Sequence, residues 1–535
     1  MRKRAFIVMF IFGLGVSLLA ASLQTNPGYM DAFYYYYGGQ QLAHGAGFQQ
    51  DLLWNYLGDP AGLPYPSHTY WMPLPSLAAA LGIKLFSGWL PEFRAAQLVF
   101  VLFAACVPPL SAAVSYSLSE NNKFAWLAGF LSGLTGFYLP FSTATDSFAI
   151  YMVLGALFFL TFLRLGRGKY LVLGVLAGGM HMARADGIMW LGVVFAAVVI
   201  DQMTTERFDV REVFRQIWTC QFARGAAAGL AGYLVVMLPW YLRNLNLFGT
   251  LMSPGASAAL WVLDYDELFS FPAAALTPAR WWAAGVGEIL LARGEALYLN
   301  LQTSFMSMGV ILSGLLAVLG VWQYRRKKVI WLGWVAWSVL LAFMTLVFPF
   351  SGSRGSYFHS GAAFVPLIMA LVPIGIDALT AASLRRFKSW KDERIRPFYT
   401  GVVLMFSVGF SLVLYFSAVV GFDEDQTEMK WNQEVTGYTA VDTALSELAV
   451  PEDAVVISAN PPGFLVVSGR PSINVPDGGV ETVINLAQHY GANWVLVEES
   501  HPDDLDGLFE APEDAGGLQF VRTVEGIHIF KVEGE

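Results

Sequence analysis

Ala5-Phe6-Ile7-Val8-Met9-Phe10-Ile11-Phe12-Gly13-Leu14-Gly15-Val16-Ser17-Leu18-Leu19-Ala20-Ala21-Ser22-Leu23 carries no charge. Arg2-Lys3-Arg4 precedes it, and Asn26-Pro27-Gly28-Tyr29-Met30-Asp31-Ala32-Phe33-Tyr34-Tyr35-Tyr36-Tyr37 soon follows. About 20 apolar residues in a helix cross the hydrocarbon core of a bilayer. The basic triplet places the start of the run in the cytoplasm. With no small-x-small cleavage site before Gln24, the run reads as an uncleaved anchor rather than a secretory signal. The tyrosines beyond it have the amphipathic character of residues at a membrane–water interface.

The rest of the chain repeats this pattern. Of 535 residues, 56% are hydrophobic and only 14% charged, against roughly 25% charged in soluble domains. That excludes a soluble enzyme, and 17 Trp, 22 Tyr and 40 Phe exclude a disordered chain. Two cysteines, Cys106 and Cys220, give neither a disulfide framework nor a Cys-based zinc site. Apolar runs predict spans at 5–23, 95–118, 124–142, 147–163, 170–183, 187–201, 225–241, 302–322, 329–349, 363–383 and 398–420, about eleven in all. The run at 72–88, opened by Met72-Pro73-Leu74-Pro75, reads as a helix lying on or dipping into the membrane. Of the 32 Lys and Arg, 21 fall in the segments this count places inside. They include Lys123, Arg164, Arg207, Arg211, Arg215, Arg224, the run Arg325–Lys328 and the stretch 385–396.

Charge divides the chain near residue 421. Residues 1–420 carry a net +9 and residues 421–535 a net −18. The expected organisation is an all-α polytopic membrane domain over 1–422, with a large first outer loop at 24–94, and an acidic soluble α/β domain over 423–535 outside. In the tail, Val455–Ser458 and Trp494–Val497 read as strands and Glu481–Tyr490 as a helix ended by Gly491. Residues 520–532 read as a hairpin turning at Glu525-Gly526. Its acidity excludes nucleic acid as a partner, and a lid or docking role fits its lack of a nucleophile elbow or P-loop. No GxxxxGK[ST] occurs on the inner side, which disfavours ATP-driven pumping.

Chemistry-bearing residues gather on the outer side. Asp31, beside Tyr34 and Tyr35, suits a general base, and equally a helix N-cap. Asp146, in Thr143-Ala144-Thr145-Asp146-Ser147-Phe148, is either a second outer acid or the cap of the next helix. Paired carboxylates from separate loops are one way to hold and deprotonate a hydroxyl. Asp31 and Asp146 could also share a divalent cation, although the seven histidines show no HxxxH or HxH spacing. Arg184, in His181-Met182-Ala183-Arg184-Ala185-Asp186-Gly187, sits at membrane depth, where an ionisable residue is a functional candidate; a self-contained Arg184–Asp186 pair is the alternative. Arg243 closes Pro239-Trp240-Tyr241-Leu242-Arg243, where it binds phosphate or only snorkels. Arg354 lies in Ser351-Gly352-Ser353-Arg354-Gly355-Ser356-Tyr357-Phe358-His359-Ser360. A permanent, forked guanidinium suits phosphate oxygens.

These stretches resemble the GT-C superfamily of membrane glycosyltransferases, in particular the protein O-mannosyltransferase and aminoarabinose transferase group. The resemblance rests on the anchor followed by Asp31-x-x-Tyr34-Tyr35, then Gly45-Ala46-Gly47-Phe48, and Met72-Pro73-Leu74-Pro75 ahead of Lys84-Leu85-Phe86. Arg184-Ala185-Asp186-Gly187 and Pro239-Trp240-x-x-Arg243-Asn244 with Phe248-Gly249 complete it over about 5–420. It implies transfer of a sugar from a polyprenyl phosphate, on the outer face of the cell membrane, to a glycan, lipid or protein acceptor. Asp31 would be the catalytic base and Asp146 the second acid. Arg184, Arg243 and Arg354, with His359, would contact the donor phosphate, and Tyr34, Tyr35, His68 and Tyr357 the substrates. A transporter or flippase of lipid-linked sugars, or a non-enzymatic scaffold, is the alternative; no internal repeat of the kind transporters carry is visible.

Overall fold

The computed structural model describes residues 3–204, 208–421, 428–514 and 516–532. Arg2, Arg207 and the expected 422/423 boundary lie outside them. The chain groups into two compact units, the first made of 1–23, 97–243 and 293–422, the second of 24–96, 244–292 and 423–535. The first outer loop and the acidic tail, distant in sequence, thus belong to one unit.

The first unit is helical. Among the described residues, seven helices in the chain are long and apolar enough to cross a membrane: Lys3–Ser22, Glu92–Ser119, Ala185–Gln202, Cys220–Phe248, Lys328–Leu346, Pro349–Arg386 and Asp392–Val419. The pair Val286–Met308 and Leu312–Gln323, bent by 95°, makes an eighth if it is one span. The expected eleven differ for local reasons. Helix Asn122–Ser132 stops at Gly133, and Gly136, at φ 58, opens a 3-10 turn whose N–H is taken by Ser411 Oγ at 3.0 Å, so 124–142 is not one helix. Helices Phe148–Arg164 and Lys169–Ala183 have 17 and 15 residues. The expected span 302–322 breaks at Val310 and Ile311, both at φ 48. The turn expected at 351–362 is itself helical, a π-helical stretch Gly352–Ser356 joined to Tyr357–Gly361.

Helices Leu312–Gln323 and Val365–Arg386 meet backbone to backbone. A Cβ on Gly320 would run into the Leu371 carbonyl, and one on Gly375 into that of Leu316. Only glycine allows this approach, and the close packing it permits supplies dispersion contacts that lipid-facing helices cannot gain from water release.

The second unit holds a six-stranded sheet. Its strands are β1 (Leu52–Leu53), β2 (Val456–Ser458), β3 (Ser472–Asn474), β4 (Trp494–Val497), β5 (Leu518–Val524) and β6 (Ile527–Val532), in the order β1-β3-β2-β4-β6-β5. β1 to β4 run parallel, while β5 and β6 form the expected hairpin with Glu525 at φ 48 and Gly526 at φ 79. Positive φ at both turn residues suits the right-handed strand twist. The first outer loop supplies β1, its Leu52 and Leu53 pairing with Ser472 and Ile473. Helices Pro461–Ser468 and Val480–Tyr490 connect the parallel strands. Tyr34, Tyr35, Tyr37, Leu52, Trp54 and Trp71 pack with Leu465 in one apolar cluster, so loop and tail share a core.

Two carboxyls stand beside a second apolar cluster of the tail, the one that holds Tyr438 and Phe464. Glu434 accepts from Asn460 Nδ2. Glu498 accepts from Tyr438 Oη at 3.0 Å and from the Ala459 N–H at 3.2 Å. Loss of hydration, for Glu434 reinforced by the charge of Glu498, pushes both carboxyls up to about 7. A carboxyl raised above its unfolded value binds its proton more tightly when folded, so its contribution is complete below pH 4.5 and lost as pH rises through about 7.

Two outcomes follow from this packing. Gly375→Ala should lower the melting temperature of the purified protein, by the scale of about 1–3 kcal/mol for overpacking. Gly401→Ala, where a Cβ meets nothing within 4 Å, should leave it unchanged or raise it. In hydrogen exchange corrected for intrinsic rates, helix Gln433–Glu447 should be better protected at pH 6 than at pH 8.5, and Glu434→Gln should flatten that difference.

Candidate active site

In the first unit, helix Lys169–Ala183 ends as Arg184 turns to an extended backbone, φ −152 and ψ 141. A 3-10 turn, Ala185–Ile188, folds back so closely that a Cβ on Gly187 would meet the Met180 carbonyl. This break carries Arg184 inward, its side chain 10% exposed. Its Nε donates to Asp186 Oδ1 and Ser360 Oγ, both at 3.0 Å, and its Nη1 lies 2.8 Å from His359 Nδ1. Ser360 donates in turn to Asp186.

The donor chemistry fixes the histidine. A guanidinium only donates, so His359 Nδ1 accepts and the ring proton sits on Nε2. Nε2 faces Asp146 Oδ2 at 3.8 Å. The Asp146 side chain is wholly buried and also accepts the Ser147 N–H, at the start of helix Phe148–Arg164. The cap position of that helix is Ser147, without a side-chain bond, so the cap reading of Asp146 gives way; its charge lies just before the helix N-terminus, where the dipole favours it, and faces His359. The His359 ring stands edge-on to Phe148, centroids 4.1 Å apart. Tyr138 stacks on Phe358 at 4.3 Å and donates to its carbonyl at 2.8 Å, which holds this segment in place.

Asp146, Arg184 and His359 are therefore brought together. Tyr357 Oη is instead bonded to Ser304 Oγ at 2.6 Å, with Trp337 Nε1 also on that hydroxyl. Arg354 is exposed on the π-helical stretch, next to Gly355 at φ 147. Arg243 lies over the Trp240 ring, 4.3 Å from its centroid; that is a cation–π contact. Asp146 Oδ2 and His359 Nε2 are spaced so that both could ligate one divalent cation. His359 would then carry its proton on Nδ1, and Arg184 would have to leave that atom.

In the second unit, Asp31 is in the first turn of helix Met30–His44 but is not its cap. The cap position is Tyr29, at φ −159 and ψ 162, without a side-chain bond. The cap reading of Asp31 gives way, and its charge sits where the helix dipole favours it. Tyr34 Oη donates to Gln50 Oε1 at 2.9 Å and accepts the His68 N–H at 2.7 Å. Tyr35 and His68 are core residues, and both ring nitrogens of His68 are taken, by Ser67 Oγ at 2.8 Å and Ser76 Oγ at 2.9 Å. A direct substrate contact, expected for both, does not suit that placement. Tyr34 does line a small cleft with Gln50, Trp54, Tyr70, Trp71 and Pro254. The sequence hinted at Asp186 through its spacing from Arg184; it gave no signal for Ser360.

No family model matches the chain, and no curated protein matches it in sequence. Solved structures do. The oligosaccharyltransferase of Archaeoglobus fulgidus, in complex with Zn and sulfate, superposes with a TM-score of 0.56 at 12% identity, over 92% of this chain and 68% of that one. ArnT from Cupriavidus metallidurans, bound to undecaprenyl phosphate, gives 0.53 at 11% identity, over 99% of this chain and 98% of that one. The chain shares the fold of these two solved structures.

Removing one partner of a buried ion pair leaves the other uncompensated, at about 3–5 kcal/mol, while removing both costs much less. Arg184→Ala should therefore melt well below the parent protein, and Arg184→Ala/Asp186→Ala should recover part of the loss. Thermal unfolding of the three purified proteins checks this.

Proposed function

We propose that this protein is an integral membrane glycosyltransferase. It moves a sugar from a polyprenyl-phosphate donor to a glycan, lipid or protein acceptor on the outer face of the cell membrane. The observation that carries the proposal is the correspondence, over nearly the whole of both chains, with the fold of ArnT, a structure that holds undecaprenyl phosphate. The buried Arg184 supports it, because a fixed cation in an apolar unit attracts a lipid-borne phosphate.

The chemistry is a single displacement. Asp31 takes the proton of an acceptor hydroxyl, the freed oxygen attacks the anomeric carbon, and the bond from that carbon to the phosphate oxygen breaks. The phosphate leaves with its electron pair and needs no acid. Arg184 meets its growing charge, aided by Arg243 and Arg354. Stabilisation of developing charge by a preorganised donor is strongest where water is excluded. His359 and Asp146 hold Arg184 in place from one side, Asp186 and Ser360 from the other. A divalent cation held by Asp146 and His359 would supply a Lewis acid, with Arg184 then released from His359 Nδ1 and kept by Asp186 and Ser360. Tyr34 and the cleft it lines are assigned to the acceptor. The cytoplasmic N-terminus and the tail outside follow from the basic loops.

Transfer from a radiolabelled polyprenyl-phosphate sugar to a cell-envelope fraction tests the proposal. Asp31→Asn keeps the size and helix position of the residue but cannot take a proton. Turnover should fall by about 10² or more, the scale of general-base loss, with melting temperature unchanged. Chelator treatment followed by metal re-addition in the same assay reads the cation requirement. Near-normal transfer by Asp31→Asn would remove Asp31 as the base, and no transfer by the parent protein from any such donor would remove the proposal.

A further inference from the structure

Helix Val210–Ile217 is built inside out. It lies in the link between two membrane-crossing helices, Ala185–Gln202 and Cys220–Phe248. At 100° per residue, Val210, Val213, Phe214, Ile217 and the following Trp218 fall on one side. Arg211 and Arg215 lie along one edge of that side, and Glu212 and Gln216 opposite it. A helix facing water would turn its apolar side toward the protein. Here Glu212 is buried, its carboxylate accepting the Thr204 N–H at 2.7 Å and the Thr204 hydroxyl at 2.8 Å. Gln216 turns the same way, toward the Gln202 carbonyl at 3.4 Å. The outward face carries Phe208, Val210, Phe214, Ile217 and Trp218, the last 87% exposed.

Arg211 and Arg215, along the edge of this face, are exposed. The acidic side chain of the helix, Glu212, is buried against Thr204 and meets Arg215 Nη2 at 3.5 Å, while the Arg215 side chain stays 71% exposed. Thus the outside of the segment combines large apolar groups with two exposed arginine side chains, Arg211 and Arg215, while Asp209 caps the helix start by accepting the Arg211 N–H at 2.9 Å. Because the helix joins two spans through a link of only a few residues on either side, it stays at the membrane surface. The surface it meets is therefore lipid.

We propose that helix Val210–Ile217 is an interfacial anchor that binds anionic phospholipid headgroups of the leaflet from which its two flanking spans start. The aromatic and aliphatic side chains enter the headgroup–acyl boundary, as amphipathic interfacial helices do. The arginines reach back along its edge to the lipid phosphates, whose attraction for basic residues is electrostatic and falls off within a Debye length. The Thr204–Glu212 contacts set the rotation of the helix about its axis, so that the apolar face and not the acidic one meets lipid.

The full-length protein is reconstituted in nanodiscs of phosphatidylcholine with a minor fraction of phosphatidylglycerol. Lipid retained after detergent extraction is counted by native mass spectrometry. The parent protein should retain phosphatidylglycerol in preference to phosphatidylcholine. Arg211→Gln/Arg215→Gln should lower that preference by roughly tenfold or more, and Arg211→Gln alone, which leaves the Arg215–Glu212 pair intact, should lower it by about fivefold with melting temperature unchanged. In parallel, with Cys106→Ala, a fluorophore on the exposed Cys220 should be quenched by headgroup-level nitroxide lipid and protected from aqueous iodide. Equal retention by parent and double variant would overturn the anionic-lipid assignment. A label quenched by iodide and not by nitroxide lipid would overturn the interfacial placement, and would point to a protein covering this face instead. Neither readout depends on glycosyl transfer.

Discussion

The charge of Arg184 is the constraint on which the membrane unit depends. A buried guanidinium is costly unless it is paired and hydrogen-bonded, and the protein supplies partners from two distant stretches. Asp186 comes from the same turn, and His359 and Ser360 from a helix about 175 residues later. Satisfying one cation fixes the tautomer of His359, and through it the face that His359 presents to Asp146. The arrangement is a fixed positive charge bonded to Asp186, Ser360 and His359, with Asp146 behind the histidine. The helix break at Arg184 and the tight turn over Gly187 are the local costs of placing it there.

Glycine packing around this centre supports it. Gly155 sits where a Cβ would meet the Ala363 carbonyl, close to the His359 segment, and Gly320 and Gly375 bring two further helices into backbone contact. A larger side chain at Gly155 would push helix Phe148–Arg164, which follows Asp146, away from the segment after His359. The second unit rests on a different principle, a parallel sheet extended by a strand from the first outer loop. The chain before Asp31 is held to the tail in the same way. Trp431 donates to the Asn26 carbonyl at 2.8 Å and fills the space beside Gly28, and Asn432 accepts from Asn26 at 2.8 Å. The acidic tail is thus joined to the loop that carries the proposed base.

What was legible in the sequence followed periodicity. The hairpin at Glu525-Gly526, the strand Trp494–Val497 and the helix ended by Gly491 stand where alternation and turn residues place them. Hydropathy found the membrane class but not the helix ends within it, because it cannot see where positive φ at Val310 and Ile311 or a 3-10 turn at Gly136 interrupts a helix. The pairing of Leu52-Leu53 with Ser472-Ile473 was invisible, since a two-residue strand has no period. Arg184 stood out as a charge at membrane depth. Ser360 did not, because a serine beside a span has many neutral explanations. The inverted helix at 210–217 was visible only as a basic loop until its burial showed which side faced outward.

The central claim is that this fold holds a lipid-borne phosphate against Arg184. Its most direct test is a binding measurement on the purified full-length protein, comparing polyprenyl phosphate with the matching polyprenol, which lacks only the phosphate. The account predicts that polyprenyl phosphate raises the melting temperature in a concentration-dependent way while polyprenol does not, and that Arg184→Lys weakens this response. Equal stabilisation by the phosphate and the alcohol, or an unchanged response in Arg184→Lys, would contradict it.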